Sequence, residues 1–408
     1  MNSNKYNPFR PGAPVPPGIF AGRLAELVQI ERCLYQTKND RAQNLLISGE
    51  RAIGKTSTAV YTKLIANGKI ETFKNENLNF LTIHAIVKSK QSFDDLLFDL
   101  IFYTKNVLKS SSIKAIDILK NIWGDLDTLS LGSLISFKKT AKQREFSLGS
   151  DEFCYFIENL WDSIGKDYDG ILFILDEVDR LKDFEGVASF LKTLFEKLNF
   201  DSYNRISFLM CGMPEVKDKL YKDHESVLRN FQPIDLAIMP EREAKEVINK
   251  ALKGTGVKIE DDALEYIVGL AEGYPHFLQE IGYSAFEVDE DDIIDENDVT
   301  GGVRGTPDYP GSLKRLGRQY FDRMFHRDVK SDVYREILTI VAKERTKYVS
   351  RKKILSKFSK GKTVLGTYLS NLIERELLVR DKTRKGYYAL PSHMFRVYIR
   401  LSSKIKIK

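Results

Sequence analysis

The sequence predicts an α/β protein: a parallel sheet covered by helices, then a purely helical stretch, then a basic winged helix. Three observations carry that expectation. Short apolar runs alternate with amphipathic stretches across residues 1–240, the pattern of a sheet buried on both faces. A glycine-rich turn, GERAIGKT, joins the first apolar run to a helix. Residues 313–408 change both pattern and charge, with 26 Lys+Arg against 8 Asp+Glu in a chain whose net charge is only +6.

The elements follow in order. Residues 1–22 (ending in NPFRPGAPVPPGIFAG) are too rich in Pro and Gly for regular structure and form an arm. Leu24, Leu27, Ile30 and Leu34 recur at helical spacing and predict a first helix. Strands are expected at residues 45–47, 80–87, 171–175, 206–211 and 234–238, with helices between them. Residues 110–150 are less regular, and 131–140 within them could form a hairpin insertion. Residues 242–288 read as purely helical, and residues 259–298 hold 14 Asp+Glu and no Lys or Arg. The segment DVTGGVRGTPDYPGS reads as a linker.

Composition excludes several classes. With 42% hydrophobic and 29% charged residues, 12 Pro and 26 Gly, the chain is neither disordered nor fibrous. No apolar run approaches the roughly 18 residues of a membrane span, and the N-terminus lacks the apolar core of a signal peptide, so a cytoplasmic location is expected. The 3 Cys lack CxxC spacing and the 5 His are scattered, which argues against a disulfide framework or a structural zinc site.

The turn at residues 49–56 matches G-x-x-x-x-G-K-[ST] in full, after an apolar strand and before a helix. Backbone N–H groups of Gly49, Glu50, Arg51, Ala52, Ile53, Gly54, Lys55, Thr56 and Ser57 would curl around phosphate oxygens. Lys55 would reach the β and γ phosphates, and the Thr56 hydroxyl would ligate Mg²⁺. The second element is ILFILDEVDRL, a buried strand that ends in acids. Ligands bind beyond the carboxyl ends of such strands, so Asp176 is placed to hold Mg²⁺ through water and Glu177 to act as general base. These motifs predict a P-loop NTPase.

Together, GERAIGKTS and ILFILDEVD resemble the AAA+ ATPases, in particular the branch of origin-recognition initiators and their archaeal and bacterial relatives. The resemblance implies ATP and Mg²⁺ as cofactors, an ATPase core with its arm at 1–240, a helical lid and acidic linker at 241–311, and a winged helix at 312–408. Nucleotide would sit between sheet and lid. It also implies that Phe20, Gly22 and Arg23 lie close to the adenine. Two departures stand out. Cys211 and Gly212 occupy a strand end where that branch places a polar residue near the γ phosphate, and the lid carries GYPHFLQ, more similar to the signalling ATPases of the STAND group. A trans-acting arginine would be Arg229, for which capping of a helix is an equal reading.

After residue 331 come three helical segments and two short apolar strands around a charged tip, DKTRKG, the order of a winged helix. Lys360, Lys362, Thr363 and Thr367 would face double-stranded DNA from the third helix, Arg351, Lys352 and Lys353 would contact phosphates from the second, and Arg384 and Lys385 from the wing. The sequence therefore points to an ATP-dependent, DNA-binding ATPase, slow or partner-stimulated in turnover, with nucleotide-dependent self-association. A STAND-like switch whose winged helix contacts a protein partner is the alternative.

Overall fold

A computed structural model describes residues 6–16, 18, 20–109, 149–182, 184–307, 309–318, 331–344, 346–381 and 383–404. The expected hairpin at 131–140 lies outside them. The chain divides into two compact units, Arg23–Glu50 with Gly54–Ala237, and Met1–Gly22 with Arg51–Ile53 and Ile238–Lys408. The lid and the winged helix, expected as separate domains, thus fall in one unit.

The first unit is the sheet. Its elements are α1 (Leu24–Lys38), β1 (Asn44–Gly49), α2 (Lys55–Ala66), β2 (Phe80–Ile86), α3 (Phe93–Lys109), α4 (Ser150–Ile164), β3 (Gly170–Asp176), α5 (Val187–Phe200), β4 (Ile206–Gly212), α6 (Glu215–Asp223) and β5 (Phe231–Leu236). The strands run parallel in the order β2-β3-β4-β1-β5. Every residue of β1, β3 and β4 is buried, which is why these strands read as continuous apolar runs. Phe173 of β3 stacks on Phe208 of β4 with centroids 5.0 Å apart, and Phe153 of α4 packs against Phe173. The fifth strand corrects the expectation of residues 234–238. It starts at Phe231, and its burial alternates because it is the edge strand and exposes Pro233 and Asp235.

The second unit opens with the arm, which has no helix or strand yet is pinned. Asn7 Nδ2 donates to Tyr283 O (3.0 Å) and Glu287 Oε1 (2.8 Å), and Phe9 is buried against Gly282, where a Cβ would come within 2.6 Å of its ring. Beyond it lie α7 (Glu241–Leu252), β6 (Lys258–Ile259), α8 (Asp261–Ala271), α9 (Pro275–Val288), β7 (Ile293–Ile294) and α10 (Glu296–Arg304). The helical stretch is therefore interrupted by β6, which pairs with β7 in parallel. The expected linker is also corrected, since its first half is α10. Asp295 and Asp298 form a reciprocal capping box, and Gly302 lies where a Cβ would be 2.5 Å from the Ser284 carbonyl. The glycines that look like breakers are what let α10 approach α9.

The winged helix comprises α11 (Ser312–Leu316), α12 (Asp332–Lys343), β8 (Val349–Ser350), α13 (Arg351–Lys357), α14 (Lys362–Glu374), β9 (Val379–Arg380), β10 (Tyr387–Ala389) and α15 (His393–Lys404). β10 pairs antiparallel with both β8 and β9, so the hairpin gains a third strand from residues read as helix. On α14, Leu365, Leu369 and Leu372 are buried as the spacing predicts. α15 anchors the domain. Arg396 donates to the carbonyls of Glu344, Thr346 and Lys347, and Arg400 donates to those of Ala342 and Glu344 while reaching both carboxylate oxygens of Glu272 at the end of α8 (2.8 and 2.9 Å).

Burial lifts the Asp298 carboxyl from its ordinary 3.8 to about 6, opposed by the Asp295 N–H that it accepts and helped by the charges of Asp295, Asp289 and Asp291. The folded chain therefore holds this proton more tightly than the unfolded one, and its contribution to stability is lost as pH rises from about 4 through 6. Asp298→Asn keeps an acceptor for the Asp295 N–H. Its melting temperature relative to wild type should improve between pH 4 and pH 7, and a pH-independent difference would refute the assignment.

Candidate functional site

A parallel sheet presents all its strand C-termini at one edge, and there β1, β4 and β3 stand side by side. From β1 the chain enters the loop at residues 49–56. Ala52 (φ 65°) and Gly54 (φ 103°) take left-handed backbone, which curls the loop before α2 starts at Lys55. Gly54 O receives the Thr58 N–H at 2.9 Å, and no side chain caps the helix, leaving its first turn to present N–H groups. Lys55 Nζ donates to Gly49 O (2.8 Å) and Glu50 O (2.9 Å) and lies 3.8 Å from the Met213 sulfur. Burial pushes the Lys55 ammonium down from its ordinary range, and Asp179, then Cys211, Asp176 and Glu177, oppose that.

Asp176 ends β3, 1% exposed. Its Oδ1 accepts the Glu177 N–H at 2.8 Å, whereas its Oδ2 is buried with no hydrogen-bond partner. Glu177 turns out of the strand in left-handed backbone (φ 59°), and its carboxylate pairs with Arg180 at 2.9 Å. An unsatisfied buried carboxylate oxygen beside the phosphate loop is the donor chemistry Mg²⁺ takes, with Thr56 in the first turn of α2 as the second oxygen. Among the described residues no group of three or more His, Cys, Asp and Glu could hold a metal by itself. The residues thus fit an ion held mainly by phosphate oxygens and water.

Two residues without an assigned role in the sequence reading belong here. Asp179 Oδ1 accepts the Met213 N–H at 3.0 Å and fastens the end of β4 to the turn after β3. Its signal was present as the second aspartate of DEVD. His84 of β2 interacts with Asp176 and is described below. Cys211 is fully buried, and its thiol is pushed far up by burial. At Gly212 a Cβ would meet Val216 at 2.6 Å and Val178 at 3.0 Å. The end of β4 is therefore closed to a polar side chain.

Of the residues expected near the adenine, Arg23 bonds just beyond the end of β5, the strand paired with β1. Arg23 is buried, donating to Ala237 O (2.6 Å) and pairing with Glu26 (3.2 Å), so its charge is already committed. In the second unit, Phe20 O accepts from Lys250 Nζ at 3.3 Å, and Gly22 (φ 74°) packs on Glu243. Arg229 is exposed just before β5, where Asn44 pairs with Phe231, at the sheet edge opposite its own phosphate loop. A six-residue strand spans roughly 20 Å. Arg229 cannot serve the loop of its own chain. In the winged helix Arg351, Lys352, Lys360, Lys362, Thr363, Thr367 and Lys385 are exposed. Lys353 and Arg384 are exposed as well, but Lys353 pairs with Glu344 (2.9 Å) and Arg384 with Asp381 (2.7 Å) while lying over the Tyr387 ring at 4.6 Å.

With this geometry in hand, the chain can be set beside known proteins. No family model matches it, and neither does any curated protein sequence. Solved structures do. The ORC2 protein of Aeropyrum pernix, in ADPNP–ADP complexes, aligns over 98% of both chains with a TM-score of 0.51 and 15% identity. The fold of the chain is the one this structure has. A Walker-type ATPase of Pyrococcus abyssi aligns with the same TM-score and identity over 93% of this chain and 96% of that one. At such identity the likeness is one of fold, and it covers sheet, lid and winged helix alike.

Asp179→Ala leaves the Met213 N–H without its acceptor and should lower unfolding stability by about 1–3 kcal/mol in urea titration. Asp179→Asn, which keeps an acceptor oxygen, should lose less. Equal losses in both would show that the hydrogen bond is not what Asp179 contributes.

Proposed function

We propose that this chain binds and hydrolyses ATP and binds double-stranded DNA through its winged helix, with nucleotide state as the switch. One observation carries the ATP reading: Lys55 and the half-satisfied Asp176 carboxylate meet at one edge of a parallel sheet, on strands separated only by β4. Lys55 would exchange its two carbonyl acceptors for β- and γ-phosphate oxygens, and the loop's N–H groups would take the rest. Mg²⁺, when bound between the phosphates, Thr56 and Asp176, supplies neutralisation of phosphate charge. Glu177 orients a water and accepts its proton as the water oxygen bonds to the γ phosphorus. The bond to the bridging oxygen breaks, and ADP and phosphate leave. For Glu177 to act, its pairing with Arg180 must open. Arg229 would act only on a second copy of the chain, which ties turnover to self-association.

The DNA reading rests on the excess of positive charge in residues 313–408 and on the exposed Lys360, Lys362, Thr363 and Thr367 at the start of α14. Arg351, Lys352 and Lys385 would add phosphate contacts that give affinity without sequence preference. A switch that docks on protein is favoured by a different observation. Lys353 and Arg384 are already neutralised within the domain, which reduces the charge left for phosphates. No helix among the described residues is long and apolar enough to cross a membrane.

Lys55→Ala should abolish ATP binding, while Glu177→Gln should still bind ATP and hydrolyse it at least about 100-fold more slowly, measured by calorimetry and phosphate release. Wild-type turnover in Glu177→Gln would remove that residue from its role. Duplex binding should fall steeply between 50 and 200 mM salt, with Lys362→Ala and Lys385→Ala each lowering the log–log slope by about 1. If the protein does not retain duplex DNA even at low salt, the protein-docking switch replaces this reading.

A further inference from the structure

Three buried polar side-chain atoms on strands of the sheet lack hydrogen-bond partners: Asp176 Oδ2 on β3, His84 Nε2 on β2 and, opposite Leu172 and so farther from the strand end, Ser207 Oγ on β4. In the β2–β3 ladder His84 pairs with Ile174 and Ile86 with Asp176. Side chains alternate along a strand, so His84 and Asp176 occupy the same face, one ladder step of two residues apart. The same face carries α2, which packs on both strands. The surroundings of the imidazole agree with this placement. Burial pushes His84 towards its neutral form, Asp176 opposes that, and Lys63 of α2 reinforces it. The half-buried imidazole thus sits on the face covered by α2, with its Nε2 buried and unsatisfied.

Orphaned buried groups in a native protein call for a ligand or a water. Two of them sharing one face, one an acid and one an imidazole, suit a single water with a donor and an acceptor to offer. Mg²⁺ keeps several waters when it binds through one or two carboxylates and phosphates. We propose that His84 is a positioning residue for the metal, its Nε2 hydrogen-bonding a water of the Mg²⁺ hydration shell that Asp176 Oδ2 also holds. This rests on the ATP reading above and assigns to β2 a part in metal binding that neither motif contains. Partners of this outer kind orient the groups in contact with the metal, and their loss costs about 10–100-fold in metal affinity. The competing account is a structural water that bridges the two atoms whether or not metal is present.

The test uses the full chain and separates metal from nucleotide. Affinity for a non-hydrolysable ATP analogue is measured in EDTA, and the half-saturating Mg²⁺ is then titrated at saturating analogue, with Mn²⁺ resonance as a second reading of the metal. His84→Leu and the shorter, polar His84→Asn should raise the half-saturating metal at least about tenfold while leaving metal-free nucleotide affinity unchanged. His84→Gln, which extends an amide to similar reach, should restore most of it. A structural water predicts instead a lower melting temperature with unaltered metal titration, and that outcome overturns the proposal. If His84→Leu does not fold, the contrast between Asn and Gln decides, and equality of the two with wild type also overturns it. Failure of the wild-type protein to bind the analogue at all would sink the ATP reading, a result distinguishable from failure of His84 alone.

Discussion

The arrangement of the first unit depends on one constraint: Asp176 must hold a carboxylate at the end of a fully buried strand with only one of its oxygens satisfied. Leaving a buried acceptor without a donor costs about 1–3 kcal/mol, more when it is charged. Nothing local relieves it. The Glu177 N–H takes one oxygen, and that residue adopts left-handed backbone to leave the strand. β2 pairs with β3 up to Asp176 itself, and β4 pairs with it up to Leu175. The rest of the edge follows from supporting this charge. Lys55, itself depressed by burial, lies in the field of Asp179, Asp176 and Glu177, and Asp179 is fixed by the Met213 N–H.

In the second unit the corresponding constraint is satisfaction of carbonyls. α12 ends at Lys343, and the chain turns at Glu344 towards β8, exposing several carbonyl oxygens near the end of a helix. Arg396 and Arg400, one helical turn apart on α15, collect them. Only an arginine offers enough donors in a fixed plane for this, and Arg400 has one nitrogen left for the Glu272 carboxylate. The Tyr274 ring beside it stacks on His393 with centroids 5.5 Å apart. The end of α8 and the GYP turn after it are consequently coupled to the winged helix by an ion pair and a ring contact. A rotation of α8 would have to carry α15 with it or break both.

Much of this was legible in the sequence wherever burial was complete. NLLISG, GILFILD and ISFLMCG are buried throughout, so they stand out as apolar runs, and the phosphate loop and acidic strand end were read from residue types that the chemistry dictates. Partial burial hid the rest. β5 alternates and begins three residues earlier than its apolar run, because an edge strand needs only one covered face. α10 is concealed by Gly301 and Gly302, and the meaning of Gly302 depends on the nearness of Ser284, a contact made across sequence. β8 looks like the start of α13 because two residues cannot show a period. Pairings such as Lys353–Glu344 and Arg384–Asp381 were invisible for a related reason: charge counts do not say which charges are already spent within the fold.

Those pairings bear on how the positive charge of residues 313–408 is used. Glu344 draws Lys353 and Lys357 together, and its carboxyl is held below the ordinary range first by Lys357 and then by Lys353. Two exposed cations of α13 are therefore paired at the surface with the same Glu344 whose carbonyl Arg396 and Arg400 share. At the wing, Arg384 lies between Asp381 and the rings of Tyr348 and Tyr387, which fixes the tip in one geometry. The exposed cations outside these pairings include Lys360 and Lys362 before and at the start of α14, Arg351 and Lys352 on α13, and Lys385 on the wing. A surface that kept all its cations mobile would attract any polyanion and orient none. Committing some of them to ion pairs trades long-range attraction, which salt screens, for fixed positions of the paired side chains.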